Sequence, residues 1–221
     1  MTVGGSNARG ARGRALLSVE QLLALDAALV AAYRDHDALC LAHPVARRHV
    51  SRPPIPSAFS ESLTALLLGS RYGVGATVAY GGAGSDLLVF SPGGRAVTVE
   101  VKASGVSRFQ ELKERDLAAD ALVWVDFGSR YVDGQGSVTF HHLPEPARFA
   151  APRRKLTLDL FLRAVTEFED FRSITVPDIR ELLSGSAGAG IATAAPQLRL
   201  VPATGAAAEE EPIRIQKRPP T

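Results

Sequence analysis

Three side chains stand out by type and spacing: Asp86, Glu100 and Lys102. Alternation along Val97-Thr98-Val99-Glu100-Val101-Lys102 puts the valines on one face of a strand and Thr98, Glu100 and Lys102 on the other. Ser91-Pro92-Gly93-Gly94 separates that run from Leu87-Leu88-Val89-Phe90, so a hairpin is predicted, with Asp86 at the start of its first strand. Two carboxylates from neighbouring strands can share a hard divalent cation with water and phosphate oxygens. A cation so held polarises a phosphate and acidifies a water. An ammonium one strand period beyond the second acid can orient that water and stabilise developing negative charge. The competing reading is an exposed aspartate on a turn beside a surface Glu/Lys ladder.

The pattern Asp86…Glu100-Val101-Lys102 resembles the PD-(D/E)xK nuclease superfamily, which includes restriction endonucleases and Holliday junction resolvases. The resemblance covers residues 57–141, and Ser85 stands where the family carries a proline. It implies catalytic roles for Asp86, Glu100 and Lys102, and a metal site built from Asp86, Glu100 and the carbonyl of Val101. Mg²⁺ is the implied ion, with Mn²⁺ as a substitute, because an oxygen-only ligand set does not favour zinc. Glu61 matches an acid that the helix before the strands often adds in this family; the other reading is a first-turn acid complementing the helix dipole. The implied fold class is α/β with a restriction-endonuclease-like core, a central mixed β-sheet flanked by helices in the order αβββαβ. The implied function is a Mg²⁺-dependent DNA endonuclease in restriction and defence or in repair and recombination. Two alternatives stand beside it: a nuclease subunit of a larger complex, and a catalytically inactive DNA-binding or assembly module of the same fold.

The elements that would position these residues are legible in order. Ser18-Val19-Glu20-Gln21 has the form of a capping box. It predicts a helix over 18–41 with Leu22, Leu25, Leu29 and Ala32 inward and Asp26 and Arg34 on the wet face. His36, Cys40 and His43 near its end read as surface or half-buried residues rather than metal ligands. A second helix should start at Ser57, with Phe59, Leu63, Leu66 and Leu67 inward and Glu61 in its first turn, and end at Gly69. Residues 74–80 read as a strand, and Gly81-Gly82-Ala83-Gly84 as a turn rather than a phosphate loop, since no Gly-Lys-Ser/Thr follows. After the hairpin, Ser107 could cap a helix through RFQELKERDLAAD. On it Gln110 is either an ordinary exposed side chain or the polar residue that related nucleases place near the site. Ala121-Leu122-Val123-Trp124-Val125-Asp126-Phe127 reads as a fully buried strand, parallel to the Glu100 strand, with Trp124 in the core. A strand over 137–141, a loop over 144–152, a helix from Thr157 and a short helix opened by 175–178 complete the domain. His141 and His142 point to opposite sides of their strand and do not read as a metal pair.

Composition sets the outer bounds. The chain has 221 residues, 46% hydrophobic and 22% charged, with a net charge of +2, enough for one globular domain and only mildly basic. The expected layout is a disordered basic arm (1–17), a helix and Pro/Arg-rich connection (18–56), the nuclease-like domain (57–183) and a disordered tail (184–221). Candidate nucleic-acid contacts are Arg47, Arg48 and Arg52 in the connection and the cluster Arg153-Arg154-Lys155, each with a solvated surface as its rival. One cysteine, Cys40, excludes a disulfide framework and a cysteine-based zinc site. No apolar run is long enough for a membrane span and no signal segment is evident, so a cytoplasmic protein is expected. DNA is the expected partner. Double-strand cleavage would call for a homodimer or a larger nuclease complex.

Overall fold

The computed structural model describes residues 15–71, 77–81, 85–90, 96–106, 109–149 and 155–183. The turn 91–94, the glycine turn at 82–84, Ser107, Arg153, Arg154, the arm before residue 15 and the tail from 184 lie outside them.

Helix α1 (Val19–Ala42) begins at the predicted capping box: Gln21 N–H donates to Ser18 Oγ at 3.2 Å, and Ser18 N–H donates to Gln21 Oε1 at 2.9 Å. Leu22, Asp26, Leu29 and Tyr33 form its buried stripe. Asp26 is therefore not on the wet face, and its partner explains the difference. Arg130 Nη2 and Nε donate to its two oxygens at 2.7 and 3.1 Å, and Tyr131 Oη adds a bond of 3.2 Å. Leu16 and Leu17, read as part of the arm, pack against the core, and Leu17 N–H donates to Ser62 Oγ at 3.0 Å.

Helix α2 (Ser57–Arg71) lies between α1 and the sheet and is buried almost all round from Phe59 to Leu68. Its polar residues are served locally: Thr64 Oγ1 donates to Ser60 C=O at 2.8 Å and Ser60 Oγ to Ser57 C=O at 3.0 Å. Its first turn holds no acid, so the first-turn reading of Glu61 does not hold; Glu61 comes one turn in and is 3% exposed.

Eight strands follow, interleaved with short helices: β1 (Thr77–Tyr80), β2 (Leu87–Phe90), β3 (Val97–Ser104), β4 (Phe109–Glu111), α3 (Glu114–Leu117), β5 (Ala121–Asp126), α4 (Arg130–Asp133), β6 (Val138–Pro144), β7 (Lys155–Thr157), α5 (Leu158–Val165), β8 (Arg172–Val176) and α6 (Ile179–Leu183). Six strands form one mixed sheet in the order β1-β2-β3-β5-β6-β8, with β3 and β5 parallel and every other pair antiparallel. Strands β4 and β7 pair separately. The molecule is thus α/β, a mixed sheet flanked by helices.

Period-two alternation sorts the sheet into two cores. Val97, Val99 and Val101 join Leu87, Val89, Val123 and Phe140 beneath α1, α2 and α6. Leu122, Trp124 and Leu143 join Leu112, Leu156, Phe161 and Val165 on the other face, beneath α5 and the β4–β7 pair. Strand β5, covered on both faces, is buried from Ala121 to Val125, and Trp124 is core. Its ring lies 5.1 Å from that of Phe161, and its indole N–H donates to Ser104 Oγ at 2.8 Å.

Three expectations are corrected here. The crossover from β3 to β5 is not a helix through 107–120 but a strand and one helical turn. Pairing of Phe109, Gln110 and Glu111 with Thr157, Leu156 and Lys155 overrides local helix preference. Residues 172–176 are a sheet strand, whose Ile174 and Val176 turn inward while β6 supplies its ladder. The helix from Thr157, read as carrying Leu158, Phe161, Leu162, Val165 and Phe168 on one side, ends at Val165, so Phe168 packs from the following turn.

Candidate active site

Antiparallel pairing of β2 with β3 sets Leu87 against Val99 and Leu88 against Thr98. One step further in that register, Asp86 falls opposite Glu100. Asp86 N–H donates to Val99 C=O at 3.2 Å, and Gly81 N–H donates to Asp86 C=O at 2.9 Å, which seats the strand entry. The carboxylate then extends the ladder by one rung: Val101 N–H donates to Asp86 Oδ2 at 2.8 Å. In a strand the N–H and C=O of one residue leave by the same edge, so the Val101 carbonyl is also turned toward Asp86.

Glu100 and Lys102 share the sheet face of Leu122 and Trp124, with which they are in register. Lys102 Nζ lies 2.6 Å from Glu100 Oε1 and 3.1 Å from Asp116 Oδ2, and its side chain is 15% exposed. Sequence reasoning missed Asp116. It is fully buried in α3, where Lys113 N–H donates to its Oδ2 at 2.7 Å. Its Oδ1 makes no hydrogen bond among the described residues, and Arg115 Nε approaches it at 3.6 Å. The spacing Lys113-Glu114-Arg115-Asp116 held a signal: an acid at the third helical position reaching back to the N-cap amide, half of a capping box.

The electrostatics follow from crowding. Burial pushes the Glu100 carboxyl up from 4.5 to about 7; Lys102 opposes the rise, while Asp86 and Asp116 add to it. Burial alone would lower Lys102, but Glu100 and Asp116 more than offset it, so its pKa is raised and the ammonium is held charged. Burial would likewise raise Asp116, yet the Lys113 amide and the Lys102 ammonium hold it below its ordinary 3.8. Two carboxylates thus hold one ammonium, and Asp86 beside Glu100 leaves negative charge in surplus with little water to screen it.

That surplus, together with an all-oxygen donor set of Asp86, Glu100 and the Val101 carbonyl, fits a hard divalent cation. Among the described residues no three His, Cys, Asp or Glu side chains converge in a geometry that would hold a metal. A cation here would take two carboxylates, and Glu61 does not complete a metal-holding group with them. Glu61 rides on α2, the helix that covers the opposite, valine face of β3.

The candidate nucleic-acid contacts are dispersed. Arg47 and Arg48 are exposed on the turn Ala46–Arg48, and Arg52 lies further along the same connection, paired with Asp37 at 3.4 Å. Lys155 is exposed on β7 opposite Glu111. Gln110, read as either an exposed side chain or a neighbour of the site, is half-buried and donates from Nε2 to the Ala103 carbonyl, one residue beyond Lys102. His141 and His142 are both buried, consistent with opposite-facing strand residues. Among the described residues no helix is long and apolar enough to cross a membrane. Comparison with protein-family models, with curated proteins and with solved structures finds nothing that matches this chain.

Proposed function

We propose that the chain is a divalent-metal-dependent phosphodiesterase acting on DNA, with a restriction-endonuclease-like core. The observation that carries this reading is the register that sets Asp86 opposite Glu100 while Lys102, one period on, shares the Glu100 face. Asp86 and Glu100 would hold the cation, with the Val101 carbonyl beside them. When bound, Mg²⁺ would supply the charge that polarises the phosphate and acidifies a water. Lys102 would direct its ammonium at the non-bridging oxygens and the attacking water, stabilising the charge that grows there. Asp86 keeps one carboxylate oxygen clear of the bond from Val101, whereas the Glu100 carboxyl is shared between Lys102 and Asp116, which a bound cation would have to displace.

The test is incubation of the purified chain with supercoiled plasmid, single-stranded DNA, a four-way junction and RNA, with Mg²⁺ or EDTA. Cleavage is expected with Mg²⁺ and absent in EDTA, Glu100→Ala and Lys102→Ala. The proposal fails if both variants cut like the parent.

One observation favours the second reading, a subunit that cuts only within a larger complex. Lys102 Nζ is engaged by two carboxylates and only slightly exposed, so a substrate phosphate must displace one of them. In that case the chain alone is inert and cleavage appears only once its partner is supplied. An inactive DNA-binding module would bind DNA unchanged in both variants and never cut it.

A further inference from the structure

Beyond the C-terminal end of β3 the chain encloses a pocket of about 490 Å³, within the size range of small-ligand sites. It is lined on one side by Ala103, Ser104, Gly105, Val106 and Gln110, and on the other by Tyr33, Arg52, Pro53, Pro54 and Ile55. Polar side chains stand on both walls, and Ser104 and Gln110 are already engaged, by the Trp124 indole and the Ala103 carbonyl. Tyr33 is 6% exposed as a whole, yet its hydroxyl makes no hydrogen bond among the described residues and stands at Gly105, 3.7 Å from where a Cβ there would lie. Arg52 touches Asp37 through Nη2 alone, at 3.4 Å, and its side chain is 38% exposed, so most of its five donors are uncommitted. The remaining lining, from Pro53, Pro54, Ile55 and Val106, is apolar.

A cationic fork and a hydroxyl beside an apolar wall suit an anionic group carried on a ring-bearing body. Position narrows the choice. Strand rise is about 3.3 Å per residue, so Ser104, on the same face as Lys102, lies roughly 7 Å beyond it, while Ala103, Tyr33 and Ile55 belong to the valine-face core, so the pocket straddles the C-terminal end of β3. We propose that this pocket receives a nucleotide of the substrate strand, with Arg52 and Tyr33 on its phosphate and its sugar and base against Pro53, Pro54 and Ile55. This inference rests on the phosphodiesterase reading for its place in the reaction, but the pocket is tested independently of cleavage.

The full chain is titrated with thymidine 5′-monophosphate, with thymidine and with inorganic phosphate, followed by NMR or calorimetry. The monophosphate binds, and each of the other two binds at least tenfold more weakly, because each fills only half of the site. Arg52→Ala weakens the monophosphate at least tenfold, and Tyr33→Phe weakens it while leaving the buried ring in place. Gly105→Ala supplies a variant that keeps every charge: its methyl would meet Ile55 and Tyr33 at 3.6 and 3.7 Å, ordinary contact distances, so the fold tolerates it while the pocket narrows. The pocket assignment is overturned if thymidine or phosphate binds as well as the monophosphate, or if Arg52→Ala and Gly105→Ala leave its affinity unchanged. On DNA that the parent cuts, Arg52→Ala raises KM rather than lowering kcat; a pure kcat effect also overturns it. If the parent cuts nothing, the phosphodiesterase reading falls while the titrations still decide the pocket.

Discussion

Replacing Glu100 by glutamine separates a catalytic carboxylate from a structural ion pair, because the two roles predict opposite signs. The rise from 4.5 to about 7 means that ionising Glu100 in the folded chain is harder than in the unfolded one. At about 1.4 kcal/mol per pKa unit this is about 3 kcal/mol, and with a side chain 7% exposed little of it is screened away. The sign follows from linkage: a carboxyl raised on folding contributes stability that is fully present below 4.5 and lost as pH rises through 7. Glu100→Gln cannot ionise and keeps a hydrogen-bonding oxygen for Lys102. It should match the parent near pH 4 and exceed it near pH 8 by up to about 3 kcal/mol, read from urea transitions with unchanged slope. Mg²⁺ bound to the folded parent should stabilise it by mass action, narrowing the gap at pH 8, and should do less for the variant. A variant less stable than the parent at pH 8 would show that the 2.6 Å contact with Lys102 outweighs the crowding, and the reasoning above would be wrong.

Asp116→Asn removes one of the two carboxylates that hold Lys102, so kcat for Mg²⁺-dependent cleavage should fall roughly 10–100-fold, the range typical of groups that orient site residues, with KM little changed; an unaltered kcat would make Asp116 a cap alone. Asp26→Ala strands Arg130, which is 6% exposed, and should cost about 3–5 kcal/mol in denaturant unfolding. Asp26→Leu combined with Arg130→Met should recover most of that loss, and failure to recover would mean that the pair contributes more than its own desolvation. His142 is buried with no hydrogen bond to either ring nitrogen among the described residues, and burial lowers its pKa from 6.5 to about 4. Its contribution is complete above pH 6.5 and is lost as pH falls through 4. The parent should therefore lose about 3 kcal/mol over that interval that His142→Leu does not lose, measured as urea midpoints at pH 7, 5 and 4.

What could be read from the residues was what depends on neighbours in sequence. The Ser18–Gln21 box, the alternation through Val97 to Lys102 and the buried run from Ala121 are local patterns, and each is present where expected. Asp26 was misplaced because its partners, Arg130 and Tyr131, are 104 and 105 residues away, although its spacing from Leu22 and Leu29 puts it on the apolar stripe of the helix. Phe109-Gln110-Glu111 became a strand only because β7 offers it an edge. Asp116 was hidden by the same misassignment, since only the strand and single turn bring it to Lys102.

That misassignment bears directly on the chemistry. A continuous helix through the crossover would rise about 1.5 Å per residue and carry residue 116 well away from β3. The strand and single turn instead fold back across the sheet face, burying Leu112 in the second core. They return Asp116 to Lys102 at 3.1 Å and Gln110 to the carbonyl of Ala103. The crossover therefore grips β3 at two adjacent residues, through one side chain on Lys102 itself and one on the carbonyl of Ala103. The hairpin sets which residues face the site, but the crossover sets where Lys102 can point and how much negative charge Glu100 feels. Substitutions at Leu112 or Leu156, which seat β4 and β7 without touching the site, should consequently lower cleavage more than they lower overall stability. Equal losses in both would mean that the hairpin alone defines the site.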